Sequence, residues 1–222
     1  YSPLIFNDNE YGSYVYTEAD REMDFYFISG GNPDGAVKGY RRLTGKAAML
    51  PKWAFGYIQS QERYESFDEI ISTVKEFRKR DIGIDCIVQD WCSWPDNMWG
   101  QKSFHPVRYS DPAENISKIH ELNAKFMLSI WPNPSNTAPD YKEFSEKGFM
   151  IETDDYYNAF SSEARDLYWK QVRENLWKYG VDAWWCDNSE PYAPEWNHIV
   201  RACEGRAYEL SLIHISEPTR LL

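Results

Sequence analysis

Two carboxylates three residues apart, Asp187 and Glu190, follow a short apolar run from Val181 to Cys186. The run has the length of a buried strand. It would deliver Asp187 at the strand's C-terminal end, flanked by the indoles of Trp184 and Trp185. In a barrel of parallel strands these ends form the active-site face. A carboxylate held there by rigid backbone can attack an electrophilic carbon or stabilise positive charge on a substrate. An Asp after an apolar run can instead cap the next helix, because its oxygen accepts from unpaired backbone N–H groups.

Three further apolar runs end in similar chemistry and weigh against capping alone. Trp53 to Gln59 leads into Gln59-Ser-Gln-Glu-Arg-Tyr64. Ile84 to Gln89 leads into Asp90-Trp-Cys-Ser-Trp94, and Phe126 to Trp131 into Trp131-Pro-Asn-Pro134. Parallel packing would bring all four ends to one face, gathering carboxylates, amides and indoles. Carboxylates grip pairs of hydroxyls and indoles stack on flat rings, which is the composition of a carbohydrate pocket. The chain is 17% aromatic, with ten Trp and sixteen Tyr, and so has the surface for such stacking as well as for a core.

The elements that must position these residues alternate. Apolar spacing predicts helices over Phe67–Arg80, Pro112–Asn123, Pro139–Lys147, Ser162–Tyr179 and Pro194–Tyr208, between strands at Trp53–Gln59, Ile84–Gln89, Phe126–Trp131 and Val181–Cys186. Near-continuous apolar strands between helices argue a parallel sheet with helices outside. A doubly wound sheet would carry phosphate-loop glycines after its first strand, and none stand there. The expected fold class is therefore α/β: four β/α units over 52–209, the first half of a (β/α)8 barrel. Before it, Tyr14, Tyr16, Phe25 and Phe27 alternate in β fashion, and Ala36–Leu43 reads as a short helix. Residues 1–51 are read as the end of an N-terminal β-sandwich domain with a connecting helix.

Composition excludes several classes. The net charge is −11 and no basic stripe exists, so nucleic acid is not an expected partner. No apolar run approaches the ~20 residues that span a bilayer. Cys86, Cys92, Cys186 and Cys203 form no C-x-x-C pair, and the four His have no metal-binding spacing, so no metal or other cofactor is expected. Cys86 and Cys186 fall in predicted strands and are read as buried thiols. The chain opens at Tyr1, without Met, and indicates no compartment or oligomeric state. Residues 210–222 resemble the in-frame translation of a sequencing-library adapter, so they are read as a non-native tail and the gene as cut short.

Six segments in chain order resemble glycoside hydrolase family 31, the α-glucosidase and α-xylosidase family. They are Tyr40-Arg-Arg-Leu-Thr-Gly45 with Leu50-Pro-Lys-Trp-Ala-Phe-Gly56, and Gln59-Ser-Gln-Glu-Arg-Tyr64. Next come Ile87-Val-Gln-Asp-Trp91, Phe104-His-Pro106 with Asp111-Pro112, and Ser129-Ile-Trp-Pro132. Trp185-Cys-Asp-Asn-Ser-Glu190 completes the set and is similar to the family's Trp-x-Asp-x-x-Glu. The resemblance implies an oligosaccharide substrate, a retaining mechanism, Asp187 as nucleophile and Glu190 in a supporting active-site role. It implies that Asp90 binds the hydroxyls of the innermost sugar, and that Trp131 and Trp185 wall the pocket. It places the acid/base downstream of this sequence, so the chain alone is expected to be inactive. Many α-glucosidase members read Asp-x-Asp where this chain has Asp90-Trp91-Cys92. The bulk of Trp91 and the missing second Asp lean toward α-xylosides, with α-glucosides close behind. A non-catalytic carbohydrate-binding relative and an α-transglycosylase are the competing readings.

Overall fold

The computed structural model describes residues 5–10, 12–16, 25–151 and 156–188. Strands β1 (Ile5–Asn9) and β2 (Gly12–Tyr16) pair antiparallel, with Asn9 opposite Gly12. The expected β character is thus present, but earlier in the chain: residues 25–30 carry no strand. Helix α1 (Pro33–Thr44) starts where Asn32 accepts from the Gly35 N–H at 2.8 Å and Pro33 supplies the first-turn φ. Its apolar residues Val37, Tyr40 and Leu43 are exposed.

The rest of the described chain forms one parallel sheet clothed by helices. The strands are β3 (Ile58–Gln59), β4 (Cys86–Gln89), β5 (Lys125–Ile130) and β6 (Ala183–Cys186), hydrogen-bonded in that order. Strand order that follows chain order is decisive. A doubly wound sheet reverses direction at a switch point, whereas an arc of a barrel adds each strand beyond the last.

The helices are α2 (Phe67–Lys79), α3 (Pro112–Glu121), α4 (Pro139–Glu146) and α5 (Ser162–Asn175). Helix α2 shows why these residues fold as they do. Ser66 accepts from the Glu69 N–H, while the Glu69 carboxylate accepts from the Glu65 N–H at 2.6 Å, a close variant of the capping box. Ile70, Ile71 and Val74 then recur at helical spacing and are buried. They meet Ile87, Ile116, Ile119, Phe126 and Leu128 in one core between sheet and helices. At the opposite end from the candidate site, Arg78 donates to the carbonyls of Ile84, Leu122 and Asn123, tying α2 to the end of α3.

Three expectations are corrected. The first strand is two residues long, because Lys52–Phe55 winds into a 3-10 turn between Pro51 and Gly56. The helix expected over Ser162–Tyr179 ends at Asn175 and continues as a separate 3-10 turn, Trp177–Tyr179. Cys86 is fully buried as expected, but Cys186 is exposed. Strand β4 lies between two strands and is buried throughout, whereas β6 pairs on one side only among the described residues. The helix expected over Pro194–Tyr208, the tail at 210–222 and Glu190 lie outside the described residues.

Candidate active site on the strand C-terminal face

Side-chain alternation decides which residues look into the barrel. Trp184 of β6 packs edge-on against Trp169 of α5, with ring centroids 6.3 Å apart, and so faces the helices. The pleat turns its neighbours Trp185 and, two residues on, Asp187 to the inner face. Phe126, Leu128 and Ile130 of β5 belong to the core under the helices. Ser129 and Trp131 therefore point inward as well, and Ser129 stands in register with Trp185. The inner face so formed carries hydroxyl, indole and carboxylate side by side.

Asp90 leaves the end of β4 toward the same face. Its Oδ1 accepts from the Trp91 N–H at 2.8 Å, and the Ser129 hydroxyl lies near enough to favour its charged form. Burial raises the Asp90 pKa; the Trp91 N–H opposes the shift, and the Asp187 carboxylate adds to it. The two carboxylates, from β4 and β6, thus feel each other across β5. Cys92 adopts a left-handed φ of 60°, turning the chain out of the strand into the loop that carries Trp94 and Trp99. The Gln89 amide, in the buried layer beneath, donates to the carbonyls of Asp90 and Trp91 at 2.6 and 3.2 Å.

Asp187 extends the β6 ladder by donating its N–H to the Ile130 carbonyl at 3.1 Å. Its Oδ1 accepts from the Asn188 N–H at 2.7 Å. Asn188 takes a left-handed φ of 53°, a conformation Asn tolerates better than most residues. The backbone thereby holds Asp187, and among the described residues no hydrogen bond engages its second oxygen.

Beside the carboxylates stands a wall of four indoles. Trp131 packs against Trp99 at 4.8 Å and Trp94 at 5.9 Å, and Trp99 in turn against Trp91 at 5.8 Å. Trp131 is only 8% exposed; its Nε1 donates to Ser129 Oγ and its carbonyl accepts from the Tyr168 hydroxyl. It therefore serves as a locked support as much as a surface. Trp185 is 45% exposed on the edge strand, outside this cluster. A cleft of about 430 Å³ opens between Arg63, Trp94, Trp99 and Arg108, and neither Asp90 nor Asp187 lines it. The two carboxylates instead face the open inner side of the sheet.

The structure thus brings together Asp90, Trp91, Trp131 and Asp187 of the residues singled out in the sequence. It adds Ser129, whose hydroxyl accepts from Trp131 Nε1 and lies near Asp90; no signal within its own strand marks it. Trp99 carries no such signal, since it sits in an aperiodic loop. Among the described residues no group of three or more His, Cys, Asp or Glu is placed to hold a metal ion.

A parallel arc of strands in chain order, with two carboxylates and an indole wall at its C-terminal end, defines the class as an α/β barrel protein with its candidate site on the strand C-terminal face. The family model described as the glycosyl hydrolases family 31 TIM-barrel domain matches residues 47–209. The chain belongs to glycosyl hydrolase family 31. It is 43% identical over 177 residues to an α-xylosidase of Saccharolobus solfataricus, across 80% of this chain and 24% of that protein. It is 32% identical to α-glucosidase 2 of Bacillus thermoamyloliquefaciens, across 84% of this chain and 27% of that one. Among solved structures, the family's α-xylosidase from Xanthomonas citri is 43% identical with a TM-score of 0.68, covering 71% of this chain and 19% of that chain. The chain spans 24%, 34% and 26% of the length of three of the curated relatives it matches, and 13% of another.

Proposed function

We propose that the complete protein carrying this chain hydrolyses terminal α-xylosides or α-glucosides of oligosaccharides by a retaining, two-step displacement. The observation that carries this reading is the placement of Asp90 and Asp187 on one inner face, at the strand ends on either side of β5, where burial raises the Asp90 pKa and the Asp187 carboxylate adds to the shift. A carboxyl group whose pKa is raised by burial and a neighbouring carboxylate is a mark of functional sites. Asp187, held by the Ile130 carbonyl and the Asn188 N–H, attacks the anomeric carbon. The bond from that carbon to the leaving oxygen breaks, and a carboxylic acid supplied from outside the described residues protonates the oxygen. Water, deprotonated by the same group, then attacks the glycosyl–aspartate ester and frees Asp187. Retaining enzymes set the two carboxyl groups ~5–5.5 Å apart, which an acid/base facing Asp187 across the bond satisfies. Glu190, three residues on, sits beside the nucleophile in sequence and takes a supporting role. Asp90, held by the Trp91 N–H with Ser129 close by, grips hydroxyls of the innermost sugar, with Trp91, Trp131 and Trp185 as walls. The displacement needs no metal or organic cofactor.

α-Xylosides are the favoured substrate. The relatives at 43% identity are α-xylosidases, and the bulk of Trp91 beside Asp90 leaves little room for a hydroxymethyl group. A hydrophobic pocket discriminates such a group by ~1–3 kcal/mol, about 5- to 150-fold in kcat/KM. The test is kcat/KM of the complete protein on p-nitrophenyl α-xyloside and α-glucoside, with the anomer of the first product read by NMR. A preference for the xyloside in that range with the α-anomer released first is expected; a β-anomer overturns the retaining mechanism, and a preference for the glucoside overturns the xylose assignment. The 222-residue chain alone, without the facing acid/base, is expected to turn over neither.

A further inference from the structure

We propose that Arg63 is a positioning residue that sets the sugar preference of the site by fixing the indole of Trp91. The inference rests on the reading of Trp91 as the wall that excludes a hydroxymethyl group. Arg63 comes from the loop after β3, whereas Trp91 follows β4 directly, so the contact joins two separate strand ends. The Arg63 guanidinium carbon lies 5.5 Å from the Trp91 ring centroid, within reach of a cation–π contact.

The backbone of Trp91 is well held, by the Asp90 carboxylate on its N–H and the Gln89 amide on its carbonyl. Its side chain is not held in this way. The indole is only half-buried, and its ring partners are Trp99 at 5.8 Å and Arg63. Arg63 has its own partners at the end of β3. Its guanidinium pairs with Glu65 at 3.3 Å, and its carbonyl accepts from the Gln61 amide at 2.9 Å. Arg63 thus places a cation against an indole that has one other ring neighbour among the described residues. Selectivity by steric exclusion requires a wall that does not swing; without Arg63 the indole gains rotamers that open the pocket to the larger sugar.

The experiment measures kcat/KM of the complete protein on p-nitrophenyl α-xyloside and α-glucoside for the unaltered protein, Arg63→Ala, Arg63→Lys, Trp91→Ala and the double variant. The Arg63→Ala substitution is expected to lower the xyloside-to-glucoside ratio by about 5-fold. Arg63→Lys, which keeps the cation, should retain part of the ratio. In the Trp91→Ala background, removal of Arg63 should not lower the ratio further. General damage to the fold lowers both rates together and leaves the ratio unmoved, so the ratio separates positioning from stability. A lower ratio in Trp91→Ala with an unchanged ratio in Arg63→Ala overturns the role of Arg63 while sparing that of Trp91. An unchanged ratio in Trp91→Ala overturns the reading of Trp91 itself. Should Arg63→Ala fail to fold, Arg63→Lys alone decides: a ratio shifted toward the glucoside supports the proposal, and one equal to that of the unaltered protein contradicts it.

Discussion

Asp187 and Glu190 stand three residues apart, yet the proposed mechanism gives them unequal parts. In the complete protein, Asp187→Ala is expected to lower kcat by at least about 10⁴-fold, the scale seen when a nucleophile is removed. Glu190→Ala should leave readily measured turnover, and steady-state kinetics on an aryl α-xyloside checks both. Asp90 links function to stability with a definite sign. Burial and the Asp187 carboxylate raise its pKa, so the folded chain binds that proton more tightly than the unfolded one. The ionised form therefore costs stability above the raised pKa, and the cost disappears as pH falls toward the ordinary Asp value of about 4. Asp90→Asn should raise Tm at pH 7, lose that gain near pH 4, and weaken sugar binding throughout; thermal unfolding across pH reads the first two. These carboxylates were legible in the sequence because each closes an apolar run. Ser129 was not singled out, because a hydroxyl in a strand gains meaning only when its neighbours on the next strands are known.

At the scale of elements, periodicity served the helices better than the strands. The spacing of Ile70, Ile71 and Val74 located α2 to within a residue at its C-terminal end. The run Trp53–Gln59 misled, because apolar composition alone cannot tell a strand from the 3-10 turn between Pro51 and Gly56. In the N-terminal segment, Gly12, with its φ of 126°, closes the turn into β2 earlier than the Tyr and Phe alternation implied. Tertiary ties such as Arg78 were invisible for the same reason as Ser129: its three carbonyl partners lie on other segments. Hydrogen bonds from a charged group contribute about 1.5–3 kcal/mol each, and these three share one guanidinium. Arg78→Met is therefore expected to cost about 3 kcal/mol, read as a shift in the urea midpoint with the slope unchanged.

For the molecule as a whole, the monotonic order β3-β4-β5-β6 is the feature that turns a list of strand ends into a site. It sets the C-termini of β4, β5 and β6 next to one another and brings Asp90, Ser129, Trp131 and Asp187 to one inner face. The same order leaves β6 at the edge of the described sheet, with Trp185 and Cys186 exposed; the sequence, which shows only apolar residues there, read Cys186 as buried. The proposed two-step displacement requires Asp187 to form a covalent bond to the sugar. It is tested most directly by treating the complete protein with a fluorinated α-xylosyl fluoride that forms the intermediate faster than it releases it, followed by peptide mass mapping. A glycosyl adduct on the peptide that ends β6, localised to Asp187, is the expected result. An adduct on a different carboxylate, or none while inverted product accumulates, would contradict it.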